Sequence, residues 1–104
     1  MYMKNVTPQE SQELIKQGAI ALDVRTKDEY ASGHVQEALN IDFYDPTFEE
    51  KLKELDKTKQ YVVNCQSGGR SAKAIALMEQ LGFADACNVA GGITAWKGAG
   101  LPMA

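Results

Sequence analysis

Histidine occurs once in this sequence and cysteine twice, and the two cysteines are not spaced as Cys-x-x-Cys. That supply does not suit a structural zinc site, which draws on four such ligands, and neither a metal nor a cofactor is expected. Cys65 and Cys87 could close at most one disulfide, far from the cross-linked framework of a small secreted domain. Basic residues are also in short supply: 11 Lys and Arg stand against 14 Asp and Glu, a net charge of −3. Such a balance argues against phosphate-backbone binding, so nucleic acid is not an expected partner. No stretch approaches about 18 apolar residues, so no membrane span is expected. The opening residues MYMKNVTPQE lack the basic start and apolar run of a signal peptide. Together these absences point to the cytoplasm, where a thiol stays a thiol.

What the chain does contain is ordinary globular material. It has 104 residues, 44% hydrophobic and 24% charged, enough for one domain over 1–104 with its own core. Thr7-Pro8-Gln9-Glu10 forms a capping box with proline at the first helical position, predicting a helix through Leu14 and Ile15 that stops at Gly18. Ile20 to Val24 reads as a buried strand. Thr26-Lys27-Asp28-Glu29 is a second capping box, opening a short helix that ends near Gly33. A strand is expected over Ala38 to Ile41. A helix is expected from Pro46 to Leu55, where Phe48, Leu52 and Leu55 share one face. Tyr61 to Val63 reads as a strand, Ser71 to Leu81 as a helix, and Ala86 to Ala90 as a strand. Gly91-Gly92 breaks that strand, and Ile93 to Lys97 makes a last short helix. Strands alternating with helices give an α/β class, a parallel sheet with helices on both faces. In such sheets function gathers at the strands' carboxyl ends, after Val24, Cys65 and Ala90.

The segment Val62-Val63-Asn64-Cys65-Gln66-Ser67-Gly68-Gly69-Arg70-Ser71 carries the chemistry. A strand delivers Cys65 to the edge, two glycines let the chain curl, and a helix begins at once. Successive N–H groups then face one concavity, an anion nest reinforced by the helix N-terminus. Arg70 adds a permanent positive charge. A thiol held there ionises more readily than a free one, which makes Cys65 a candidate nucleophile. The structural alternative is a buried cysteine beside a tight turn. Four residues separate Cys65 from Arg70, where cysteine phosphatases have five. A shorter ring of donors suits a persulfide better than a phosphate ester, which disfavours a phosphatase or arsenate reductase.

Three segments together resemble the rhodanese family of sulfurtransferases in its single-domain form. The first is Leu22-Asp23-Val24-Arg25 with Glu29-Tyr30, Gly33-His34-Val35 and Ala38-Leu39-Asn40-Ile41. The second is the loop Cys65 to Ser71, and the third is Gly91-Gly92-Ile93 with Trp96, Gly100 and Pro102. The resemblance implies the rhodanese-like fold, a parallel five-stranded sheet with helices on both faces. It also implies a two-step transfer in which Cys65 carries a sulfur as a persulfide. The expected partners are a small anionic sulfur donor such as thiosulfate and an acceptor that is cyanide, a small thiol or a thiol protein. The expected site has Cys65 as the catalytic residue. Gln66, Ser67, Gly68, Gly69, Arg70, Ser71 and Arg25 are the substrate-binding candidates. The competing reading is a non-catalytic binding module on the same fold, disfavoured because Cys65 and the loop glycines are present. The chain departs from the family at Glu37, where glycine is common; a surface turn tolerates that change if φ is negative.

Several residues invite functional readings that structural ones outweigh. Arg25 has an ion pair with Asp23 as its alternative to facing the pocket. His34 reads as a hydrogen-bonded structural residue, because sulfur transfer from a thiolate needs no base. Trp96 reads as core or pocket wall. Cys87 lies about three residues before its strand's end, roughly 10 Å below Cys65 and beyond disulfide reach, so it reads as a buried small residue. A monomer with a shallow, open pocket over residues 65–70 is expected, since this length leaves no second domain to wall it.

Overall fold

The computed structural model describes residues 4–104. Five strands form one parallel sheet: β1 (Lys4–Val6), β2 (Ile20–Asp23), β3 (Leu39–Asn40), β4 (Gln60–Asn64) and β5 (Asp85–Val89), in the spatial order β1-β5-β4-β2-β3. The helices are α1 (Pro8–Lys16), α2 (Lys27–Ala31), α3 (Phe48–Lys53), α4 (Gly69–Gln80) and α5 (Gly92–Gly98). The central strand β4 has a partner on each side and buried side chains on both faces. Its Tyr61-Val62-Val63 run is therefore continuously apolar rather than alternating.

Side-chain alternation divides the core. Leu22, Val24, Tyr61, Val63 and Cys65 turn to one face, under Phe48 and Leu52 of α3 and Ala74, Ile75 and Met78 of α4. Ala21, Val62, Cys87 and Val89 belong to the opposite face, covered by Leu14 and Ile15 of α1 and by Ile93 and Trp96 of α5. Trp96 also donates its Nε1–H to the Pro102 carbonyl at 2.9 Å, and the segment beyond it bridges back from Met103 to Val35.

Both capping boxes form with both reciprocal bonds. The boundaries shift elsewhere. Helix α3 begins at Phe48 rather than Pro46 because the Asp45 carboxylate accepts the Thr47 N–H at 2.7 Å and holds that stretch as a turn. Helix α4 begins at Gly69, two residues before the expected start. Strand β1 has no counterpart in the sequence reading; three residues carry no usable period, and their partner β5 lies 83 residues away, Lys4 facing Cys87. Glu37 corrects another expectation. Its φ is +66°, in the left-handed region, so the turn does not relieve the glycine-to-glutamate change through a negative φ.

Candidate active site

Cys65 follows β4 directly, and its side chain is 2% exposed. The loop after it closes into α4 through Gly68, whose φ of +126° is glycine territory. Gly68 is the N-cap of α4 and, having no side chain, offers nothing to the helix's first N–H groups. Sulfur takes that place: the Gly68 N–H donates to Cys65 Sγ at 3.0 Å, and the Ser71 hydroxyl lies 3.4 Å from the same atom. Burial pushes the thiol up. The Ser71 hydroxyl and the N–H groups of Ser71, Gly68 and Ser67 outweigh it, so Cys65 ionises below the ordinary value for a thiol. Cys87 shows the contrast. It is fully buried, level with Val62 rather than Cys65, and burial with nearby Asp85 pushes it up to about 11.

The N–H groups point inward because the carbonyls are held outward. At the start of α5 the Ile93 N–H donates to the Cys65 carbonyl at 2.9 Å, and the Thr94 N–H donates to the Gln66 carbonyl at 3.3 Å. Gln66 is anchored there as well, its Nε2 donating to Thr94 Oγ1 at 2.9 Å. This contact needs Gly92: a Cβ on it would lie 2.5 Å from the Gln66 carbonyl oxygen and 2.6 Å from that of Cys65. The glycine that broke the strand pattern thus brings a second helix N-terminus against the back of the loop.

The expected site residues separate into two groups. Ser71, Gly68 and Ser67 lie around the sulfur, and Gln66, Ser67 and Gly69 are exposed on the loop. Arg70 lies on the loop, but its guanidinium is committed to Glu29 through two bonds of 2.7 and 3.0 Å, with the Tyr44 ring 5.7 Å away. Arg25 requires correction as a substrate group. It is 3% exposed, pairs with Asp23 at 2.8 Å and donates to the Gly33 carbonyl at 2.8 Å, which ties the end of β2 to the turn after α2. His34 stacks on Tyr30 at 3.7 Å with its Nδ1 2.9 Å from the Tyr30 carbonyl.

Two neighbours of the site escaped the sequence reading. Glu29 had already been assigned to its capping box, yet a carboxylate has lone pairs for both tasks: Oε1 accepts from Thr26 N–H and from Arg70. The Arg70 guanidinium holds Glu29 at about 2, against a smaller opposing effect of burial and with help from Thr26. Asn88, whose amide oxygen accepts the Ser71 hydroxyl at 2.7 Å, stands on β5 with no sequence signal beyond a polar residue in an apolar run. The described cavities lie elsewhere. The largest, about 350 Å³, is lined by Lys27, Asn40, Ile41, Asp42, Asp45 and Lys51; two smaller ones share Ile15, Gln36 and Glu37.

Comparison with known proteins agrees with this geometry. Residues 7–99 match the rhodanese-like domain model. The chain is 32% identical over 94 residues to the thiosulfate sulfurtransferase GlpE of Pseudomonas syringae, covering 90% of this chain and 87% of that one. It is 34% identical over 100 residues to the chloroplastic thiosulfate sulfurtransferase 16 of Arabidopsis thaliana, covering 86% and 83%. The crystal structure of a rhodanese-related protein from Thermoplasma volcanium superposes with a TM-score of 0.88 at 34% identity, covering 99% of this chain and 98% of that one. With the parallel sheet, the cysteine at the end of its central strand and the loop closed by a helix N-terminus all in place, the chain belongs to the rhodanese-like domain family.

Proposed function

We propose that this protein is a sulfurtransferase that moves a sulfane sulfur through a persulfide on Cys65. The observation that carries the reading is the cradle at Sγ, where the Gly68 N–H at 3.0 Å and the Ser71 hydroxyl at 3.4 Å favour the thiolate. That thiolate attacks the outer sulfur of a small anionic donor. The donor's S–S bond breaks, and for thiosulfate the electron pair leaves with sulfite. The negative charge then rests on the outer sulfur of the Cys65 persulfide, still beside the helix N-terminus. An acceptor, cyanide or a thiol, attacks that outer sulfur and returns Cys65 to its thiolate. Splitting the transfer in this way replaces one difficult step by two easier ones. The relatives named thiosulfate sulfurtransferase favour thiosulfate as the first donor to try. The exposed loop residues Gln66, Ser67 and Gly69 leave the loop's outer side accessible to an acceptor as large as a thiol protein.

Intact-mass measurement after incubation with thiosulfate tests this. The expected outcome is a protein heavier by one sulfur, with sulfite released in equal amount and the added mass mapping to Cys65; cyanide should remove it as thiocyanate. Cys65→Ser should show neither change. A folded wild-type protein whose mass stays unchanged would overturn the proposal.

A further inference from the structure

Asn88 is a buried amide, 6% exposed, close to the carboxyl end of β5. Its Nδ2 donates to Asn5 Oδ1 on β1 at 3.1 Å and to the Gly68 carbonyl at 3.5 Å, and its Oδ1 accepts from Ser71 at 2.7 Å. A backbone carbonyl can only accept, so the amide nitrogen must face Gly68 and the amide oxygen must face Ser71. Ser71 has one hydroxyl proton and three acceptors around it: Asn88 Oδ1 at 2.7 Å, the Gly68 carbonyl at 3.1 Å and Cys65 Sγ at 3.4 Å. With the O–H donated to Asn88 Oδ1, Ser71 offers Cys65 only lone pairs, which suit a protonated S–H. With the proton turned to Sγ, the same hydroxyl stabilises a thiolate.

We propose that Asn88 is a positioning residue for Cys65, acting through Ser71 by competing with the sulfur for the one hydroxyl proton. This rests on the reading of Cys65 as the sulfur-carrying nucleophile and deepens it. In the unloaded state the thiolate draws the proton from Asn88. Once a sulfur is attached, Sγ is neutral and the charge has moved outward, so the Ser71 O–H turns back to donate to the amide oxygen. Asn88 therefore favours the loaded form over the bare thiolate. Strand β1 takes part through Asn5, whose Oδ1 accepts from the same Nδ2 at 3.1 Å. Of the charges on the neighbouring elements, Arg70 interacts with Cys65 and is paired with Glu29 of α2, and the Asp23–Arg25 pair lies at the end of β2, with Asp23 level with Asn64. At this end β5 carries no charge, and α5 carries none before Lys97.

The test is the rate of alkylation by iodoacetamide against pH, read on the Cys65 peptide so that Cys87 does not contribute and no sulfur donor is needed. Asn88→Leu, close in shape but unable to accept, should lower the midpoint, raising the rate about three- to tenfold at pH values below it. Ser71→Ala should raise the midpoint, and adding Asn88→Leu to it should then change nothing. Should Asn88→Leu not fold, Asn88→Asp decides: it should raise the midpoint more with Ser71 present than in the Ser71→Ala background. An unchanged or raised midpoint in Asn88→Leu, or equal shifts with and without Ser71, overturns the proposal. A wild-type midpoint at or above that of free cysteine instead overturns the reading of Cys65 as an activated nucleophile.

Discussion

Glu37 holds a backbone φ of +66°, and among the described residues it is the one non-glycine in that region. The left-handed conformation costs a residue with a Cβ about 1–2 kcal/mol. Glycine removes that strain but adds roughly 0.5–1 kcal/mol of chain entropy lost on folding. The two effects leave Glu37→Gly more stable by about 0.5–1 kcal/mol, measured as a shift of the urea midpoint at constant slope. Glu37 lies in the turn before β3 and lines two cavities away from the loop, so the alkylation rate of Cys65 should not change. A variant no more stable than the wild type would mean that neighbouring contacts of the carboxylate already offset the strain. Family resemblance pointed to this position, but the sign of φ is set by how the turn meets β3, and nothing local in the sequence states it.

Helix α5 spans seven residues, too few to stand alone, and its N-terminus is used to hold the loop carbonyls. Gly92→Ala tests that role. The added Cβ would meet backbone on the Cys65 and Gln66 side rather than a movable side chain, and the residue's φ of +61° adds strain. The loop must give way, and a shift of about 1 Å at a reacting centre can cost on the order of 100-fold in rate. Sulfite release from thiosulfate should fall by about that factor while far-UV circular dichroism keeps its wild-type shape; full activity would show that the loop holds itself without α5. The elements were legible where their causes are local. Both capping boxes, the apolar β4 and the Cys65–Ser71 loop are written in adjacent residues. Strand β1 was not, because Lys4-Asn5-Val6 becomes a strand only by pairing with β5. The same distance hid the Asn5–Asn88–Ser71 chain, whose members lie on three elements.

At the scale of the molecule, the strand order β1-β5-β4-β2-β3 places the end of β2 beside the end of β4, so helices that follow neighbouring strands meet over one edge. Glu29 of α2 and Arg70 of α4, 41 residues apart, close that edge with a bidentate pair. The pair makes stability depend on pH in a definite direction. The Glu29 carboxyl lies at about 2 in the folded protein against an ordinary 4.5. Its folded value is depressed, so the unfolded chain binds the proton first. The stabilisation is therefore fully present above pH 4.5 and is lost as the pH falls from there to about 2. Glu29→Gln removes this dependence and most of the pairing with Arg70. The two side chains are 33% and 19% exposed, so water screens the pair and the effect stays modest, about 1 kcal/mol at neutral pH. Other depressed carboxyls, Asp45 beside Lys51 and Thr47, Asp56 beside Thr58 and Glu10 beside Thr7, destabilise both proteins alike in acid and cancel in the comparison. Urea unfolding of wild type and Glu29→Gln across this pH range should give two curves that are separated at neutral pH and converge as the pH falls toward 2. Curves that stay parallel down to pH 2 would show that the bridge between α2 and α4 contributes no proton-linked stability, and that the loop's edge is closed by packing alone.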